Sequence, residues 1–153
     1  NFREACMTEH VAVSIAEGVN ILRLDRPDQQ NALTSNMFDA LSDALAFGES
    51  SSRVRCFLIM GMPGVFTAGT DREDLRSFVD HGVIGDSAIH FFKTLALLEK
   101  PLLAAVDGIA GATGTALLMQ CDYVVASEWA TFSAPFADLG LVPEAGSSLW
   151  RRA

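Results

Sequence analysis

The sequence predicts an α/β protein, and three observations carry that prediction. Short apolar runs at 54–60, 102–106 and 123–126 are separated by stretches with helical spacing, so strands and helices alternate along the chain. Glycine and proline punctuate the joins, at Gly61, Pro63 and Gly64, at Pro101, and at Gly108. Half of the 153 residues are hydrophobic and a fifth are charged, which is enough apolar material for one buried core.

The elements follow in order. Val11, Val13 and Ile15 alternate with smaller or polar residues, Glu17-Gly18 supplies a turn, and 19–24 repeats the alternation, so the pair reads as a β-hairpin. Pro27 ends the second strand because it cannot donate to a ladder. Thr34 or Ser35 caps a helix that runs through Phe47, with Met37, Leu41, Ala44 and Leu45 on one apolar face. Ser50-Ser51-Ser52 is a loop, and 54–60 reads as a strand buried on both faces. Residues 61–64 form a loop. Helices are expected over 71–79 and 87–98, the second with Phe91, Leu95 and Leu98 on a shared face. Pro101 stops that helix and opens a strand over 102–106. A small-residue turn at 108–114 leads into a helix over 115–120, followed by a strand at 123–126. Phe132 begins a segment that turns at Gly140 and reaches Pro143. No repeat or low-complexity tract divides the chain, so 8–153 is read as one core and 1–7 as an N-terminal extension, with Met7-Thr8-Glu9-His10 resembling a natural start. The end, Trp150-Arg151-Arg152-Ala153, has no closing helix or polar tail, as expected of a truncated chain.

Composition excludes several function classes. The net charge is −8, with 19 acidic and 11 basic residues and no Lys/Arg cluster, so a nucleic-acid partner is not expected. No run reaches the ~18–20 apolar residues of a membrane span, and no signal peptide is visible. The three cysteines, Cys6, Cys56 and Cys121, have neither metal-ligand nor disulfide spacing. Cys56 and Cys121 sit in apolar runs and read as small core residues, which fits a reducing compartment. His10, His81 and His90 pair with no recognisable nucleophile, so neither a hydrolase triad nor a metal site is expected.

Three segments can carry chemistry. Phe66-Thr67-Ala68-Gly69-Thr70-Asp71 follows a buried strand, and its small residues let a ligand approach the backbone. The N–H of Thr70 near a helix start can face developing negative charge, while the plainer role of Asp71 is to cap that helix. In 106–115 three glycines in seven residues follow a strand and precede a helix, where backbone N–H groups can bind an oxyanion. That segment has neither the lysine of a P-loop nor the spacing of a dinucleotide fingerprint. In 139–148, Glu144 is flanked by apolar residues, which raise a carboxyl pKa and suit it to proton transfer near neutral pH. The plainer role of Glu144 is to complement a helix dipole. Asp138 is a weaker candidate of the same type.

Taken together, these pieces resemble the crotonase (enoyl-CoA hydratase/isomerase) superfamily. The matching motifs are Arg26-Pro27 with Asn31-Ala32-Leu33, the 66–71 loop, Lys100-Pro101, Ala105-Val106-Asp107-Gly108 with the glycine-rich turn, Cys121-Asp122, Ala130-Thr131-Phe132, Pro135-Phe136, and 139–148. The resemblance implies a ClpP/crotonase spiral of βαβ units, without the C-terminal helical segment that helps build trimers or pairs of trimers. It implies that the N–H groups of Thr70 and Thr113 hold a thioester oxygen. Ala32, Ala68, Gly69, Asp71 and Phe136 would line the path of the CoA substrate. Coenzyme A then arrives as part of the substrate, with no separate cofactor and no metal. A bacterial cytoplasmic enzyme is implied, with a peroxisomal location as the alternative.

Departures from the family pattern point to the subtype. Typical hydratases carry two glutamates where this chain has Ala116 and Phe136. The stretch Val142-Pro143-Glu144-Ala145-Gly146-Ser147-Ser148 instead looks like that of Δ3,Δ2-enoyl-CoA isomerases of the peroxisomal type and their bacterial relatives, in which the glutamate shuttles a proton. Two alternatives accompany this expectation: another crotonase reaction such as hydration using Asp138, or a non-catalytic acyl-CoA-binding or assembly module. The turn also has Ala112-Thr113 where many members have consecutive glycines, and Arg72 stands where an aliphatic residue is common.

Overall fold

A computed structural model of the chain describes residues 3–8, 10–81 and 85–135. Nine strands and four α-helices lie within those residues: β1 (Arg3–Thr8), β2 (Val11–Ala16), β3 (Val19–Leu24), α1 (Ser35–Ser50), β4 (Cys56–Met60), β5 (Val65–Thr67), α2 (Arg72–His81), α3 (Asp86–Ala96), β6 (Leu102–Val106), β7 (Ile109–Gly111), α4 (Thr113–Leu118), β8 (Tyr123–Ala126) and β9 (Thr131–Ser133). They build a six-stranded sheet in the order β1-β2-β3-β4-β6-β8 and a three-stranded sheet in the order β5-β7-β9.

The expected hairpin is present, with Val11 opposite Leu24 and Ala16 opposite Val19. From β3 onward the large sheet is parallel, through β4, β6 and β8. Parallel neighbours need crossovers, and the four described α-helices lie in those crossovers. The backbone of the expected N-terminal extension runs as β1, antiparallel to β2, with an irregularity between Arg3 and Cys6.

Helix α1 begins where the sequence places it, because the Met37 N–H donates to Thr34 Oγ1 at 3.2 Å. It runs past the expected end at Phe47. Its last turn is held from outside, by Lys100 Nζ donating to the carbonyls of Gly48 at 2.7 Å and Ser51 at 2.9 Å. That contact is 49 or more residues away in sequence, so no local signal announces it. The buried face of α1 carries Met37, Phe38, Leu41, Leu45 and Gly48. Phe38 meets Phe91 of α3 at a ring-centroid distance of 5.4 Å, joining both helices to the core under β4 and β6.

Several expectations are corrected. Strand β4 starts at Cys56 rather than at 54, and its residues alternate between buried and half-buried, so it is not buried equally on both faces. The stretches read as loop and turn contain two short strands, β5 and β7, whose partners in the small sheet are distant in sequence. Helix α4 starts at Thr113 rather than 115, and α3 ends at Ala96 rather than 98. Cys56 and Cys121 are half-buried, and of the two Cys121 packs against the core as expected. Tyr123, Val125, Trp129 and Phe132 are exposed along β8, β9 and the link between them.

Candidate functional site

The small sheet organises the site. β5 and β7 run parallel, Val65 beside Ile109 and Thr67 beside Ala110, so the loops that leave their C-terminal ends emerge side by side. Gly61 and Gly108 let the connections into these strands pass close to other backbone. A Cβ on Gly108 would lie 2.0 Å from the Gly64 carbonyl oxygen, and its φ of +90° also favours glycine.

The first loop, 68–71, is held by residues 26–33. The Leu33 N–H donates to the Gly69 carbonyl at 2.7 Å, and the Asp71 N–H donates to the Leu33 carbonyl at 2.8 Å. This is an isolated parallel bridge centred on Thr70. Both bonds use the neighbours of Thr70, so its own N–H points away from Leu33. Ala68 N–H donates to the Gln30 carbonyl at 2.9 Å. Asn31, fully buried, accepts from the Arg26 N–H at 2.7 Å and donates to the Phe66 carbonyl at 3.1 Å. Thr67 Oγ1 donates to the Asn31 carbonyl at 2.6 Å and accepts from the Gly69 N–H at 3.1 Å.

Arg26 closes this network. Its Nη1 donates to the Ala32 carbonyl at 2.9 Å and to Asp71 Oδ2 at 2.6 Å, linking two expected ligand-lining residues. The guanidinium holds the Asp71 carboxyl below the usual carboxylate range, against the raising effect of burial. Asp71 Oδ1 also accepts from the Glu73 N–H at 2.9 Å, so the plainer role read for this residue, capping α2, is observed.

The second loop turns at Ala112, which has φ +44° and ψ −113°. Its N–H donates to the Ser133 carbonyl at 2.8 Å, and Thr115 Oγ1 reaches the same carbonyl at 2.8 Å. Thr113, 4% exposed, then opens α4.

Of the expected site residues, Thr70 and Thr113 come together from 43 residues apart, with their hydroxyls 2.8 Å from each other. Gly69 faces the second loop closely: a Cβ there would lie 3.0 Å from Ala112 Cβ and 3.4 Å from Thr113 N. Ala32, Ala68, Gly69 and Asp71 all belong to the network behind Thr70. Glu144, Asp138 and Phe136 lie outside the described residues. Ala116 is buried in α4, one turn from Ala112, whose carbonyl accepts its N–H at 3.2 Å.

The network contains residues for which no site role was read, namely Arg26, Asn31 and Thr67. The signal for Arg26 and Asn31 lay in the Arg26-Pro27 and Asn31-Ala32-Leu33 motifs, and that for Thr67 in the 66–71 segment. Asn31 also has φ +53°, a left-handed conformation that asparagine tolerates better than most residues. Elsewhere, burial pushes the Cys121 thiol up to about 12, so it is not a nucleophile near neutral pH. Among the described residues no group of three or more His, Cys, Asp or Glu side chains can hold a metal ion, and no helix is long and apolar enough to cross a membrane.

The model of the enoyl-CoA hydratase/isomerase family matches residues 14–153. The chain belongs to this family. It is 33% identical over 149 residues to the 1,2-epoxyphenylacetyl-CoA isomerase of Escherichia coli, covering 93% of this chain and 56% of that protein. It is 31% identical over 130 residues to the mitochondrial enoyl-CoA hydratase of Pongo abelii, covering 85% of this chain and 45% of that protein. Among solved structures, an enoyl-CoA hydratase/isomerase from Pseudoalteromonas atlantica superposes with a TM-score of 0.83 at 38% identity, covering 93% of this chain and 56% of that one. The crotonase fold expected from the motifs is therefore the fold of this chain. The chain spans about half the length of the curated relatives it matches.

Proposed function

We propose that this family member acts on acyl-CoA thioesters as an isomerase, moving a 3-enoyl double bond to the 2-position. The supporting observation is the convergence of Thr70 and Thr113, whose side chains meet at 2.8 Å at the ends of adjacent parallel strands. The backbone N–H groups of these residues receive the thioester oxygen. Glu144 removes a proton from C2, and the electron pair moves onto the carbonyl oxygen, giving a dienolate held by the two N–H groups. Glu144 then returns the proton at C4 as the double bond settles between C2 and C3. One carboxylate suffices, because no water is added and no electrons leave. In other enzymes one such donor is worth about 3–4 kcal/mol of barrier.

Isomerase is favoured over hydratase because Ala116 is an apolar residue buried beside the second loop, where a hydratase has one of the glutamates that hold water. Hydration with Asp138 is the second reading, favoured by the hydratase among the relatives. Ala32, Ala68, Gly69, Asp71 and Phe136 line the coenzyme A path in this proposal, and CoA enters only as part of the substrate. The proposed enzyme is cytoplasmic and assembles as a trimer or a pair of trimers.

The test follows conjugated 2-enoyl-CoA by ultraviolet absorbance from a 3-enoyl-CoA, with water addition measured separately, for the full-length protein and Glu144→Gln. The variant is expected to lose about 10²–10⁴-fold in rate, the range typical of a positioned acid/base. Isomerisation that persists in Glu144→Gln overturns this role, and water addition without double-bond migration favours the hydratase.

A further inference from the structure

We propose that the Thr70 and Thr113 side chains form a hydroxyl clip that sets the spacing of the two thioester-binding N–H groups. This inference rests on the reading of those N–H groups given above.

The two loops are anchored on opposite sides. Leu33 and Arg26 hold the first loop through Gly69 and Asp71, and Ser133 holds the second through Ala112 and Thr115. The pairing of β5 with β7 brings the loops side by side, and neither of these two anchors reaches across from one loop to the other. Where they face each other, Gly69 has no side chain, and a Cβ there would meet Ala112 Cβ, the Gly111 carbonyl and Thr113 N. The 2.8 Å bond between Thr70 Oγ1 and Thr113 Oγ1 crosses that gap. Each hydroxyl belongs to one of the residues whose N–H is to meet the thioester oxygen, so the bond joins the two donor residues directly.

The bond also has a defined cost if broken. Thr113 is 4% exposed, and a hydroxyl buried that deeply is expected to keep its partners. Both residues are β-branched, which restricts χ1 and keeps each hydroxyl aimed. A thioester oxygen between two N–H groups loses stabilisation quickly when one donor is misplaced, because donor geometry matters on the scale of an ångström. Thr70 and Thr113 are thus positioning residues through their side chains, separately from what their backbones do.

The test uses the full-length protein, Thr70→Val, Thr113→Val, the double variant, and Thr70→Ser as the conservative rescue. The probe is hexa-2,4-dienoyl-CoA, whose conjugated absorption moves to the red when its carbonyl oxygen is polarised. The clip predicts a red shift in the parent protein that shrinks in each valine variant and returns in Thr70→Ser. It also predicts a fall in kcat of about 3–10-fold with KM nearly unchanged, the worth of one neutral hydrogen bond. The double variant is expected to lose no more than Thr113→Val alone, since both removals break the same bond. A full red shift in the valine variants, or losses that simply add, overturns the clip while the thioester site stands. No red shift in the parent protein overturns the clip and the thioester site together.

Discussion

The loops after β5 and β7 both need an unusual backbone at their turning point, and they meet that need differently. Gly69 takes φ +108° in the first loop, and a glycine adopts it without steric penalty. Ala112 takes φ +44° with ψ −113° in the second, where a Cβ strains the chain. The first loop is backed by a polar network of buried Asn31, Thr67, Arg26 and Asp71. The second is backed by β9, whose Ser133 carbonyl accepts from the Ala112 N–H and from the Thr115 hydroxyl. The lesson is that a strained residue persists where a neighbouring strand fixes both sides of it, whereas a freely adaptable glycine needs side chains to fix it.

Breaking the first network has the largest expected effect. Asn31→Ala removes an acceptor for the Arg26 N–H and a donor to the Phe66 carbonyl in a fully buried place, and leaves alanine in a left-handed conformation. A loss of about 3 kcal/mol is expected from two buried bonds and the backbone term, read as a lower urea midpoint with unchanged slope. An unchanged midpoint would mean that the loop does not depend on Asn31.

Gly69→Ala comes next. Its new Cβ would sit 3.0 Å from both Ala112 Cβ and the Gly111 carbonyl oxygen, at a φ that alanine resists. About 1–3 kcal/mol of stability is expected to go, with a fall in thioester binding because both loops must shift. Binding that is retained while stability falls would show that the two loops are less tightly coupled than their contact suggests.

Ala112→Gly tests the opposite sign. Relief of the strained φ is offset in part by the greater freedom of glycine in the unfolded chain, leaving a gain of about 1 kcal/mol. A loss of stability instead would show that the Ala112 methyl contributes more by packing against Gly69 than it costs in strain.

The smallest effect concerns Asp71. Because Arg26 holds its folded carboxyl below the ordinary range, the contribution of the ionised form is fully present above that range and fades as pH falls through the folded value. The stability gap between the parent protein and Asp71→Asn is expected to narrow on acidification. No gap at any pH would assign the role of Asp71 to its helix cap, which asparagine can also make.

The fold class, the hairpin at 11–24, the start of α1 at its Thr34 cap and the family were all legible in the residues, because periodicity, caps and turn residues are local and the family motifs occur in a fixed order. Thr70 was legible as a candidate from its place near a helix start, and Thr113 through the resemblance of the glycine-rich turn to the family motif. What only the tertiary structure decided is how they meet. β5 and β7 are three-residue strands that exist because they pair with each other and β7 also pairs with β9, and so short a run of residues carries no period of its own. The end of α1 is set by Lys100 from across the fold, and the 2.8 Å contact between the threonines joins residues 43 apart. Such contacts depend on chain closure over long separations, which local sequence does not encode, whereas the residue types that profit from them were already in place.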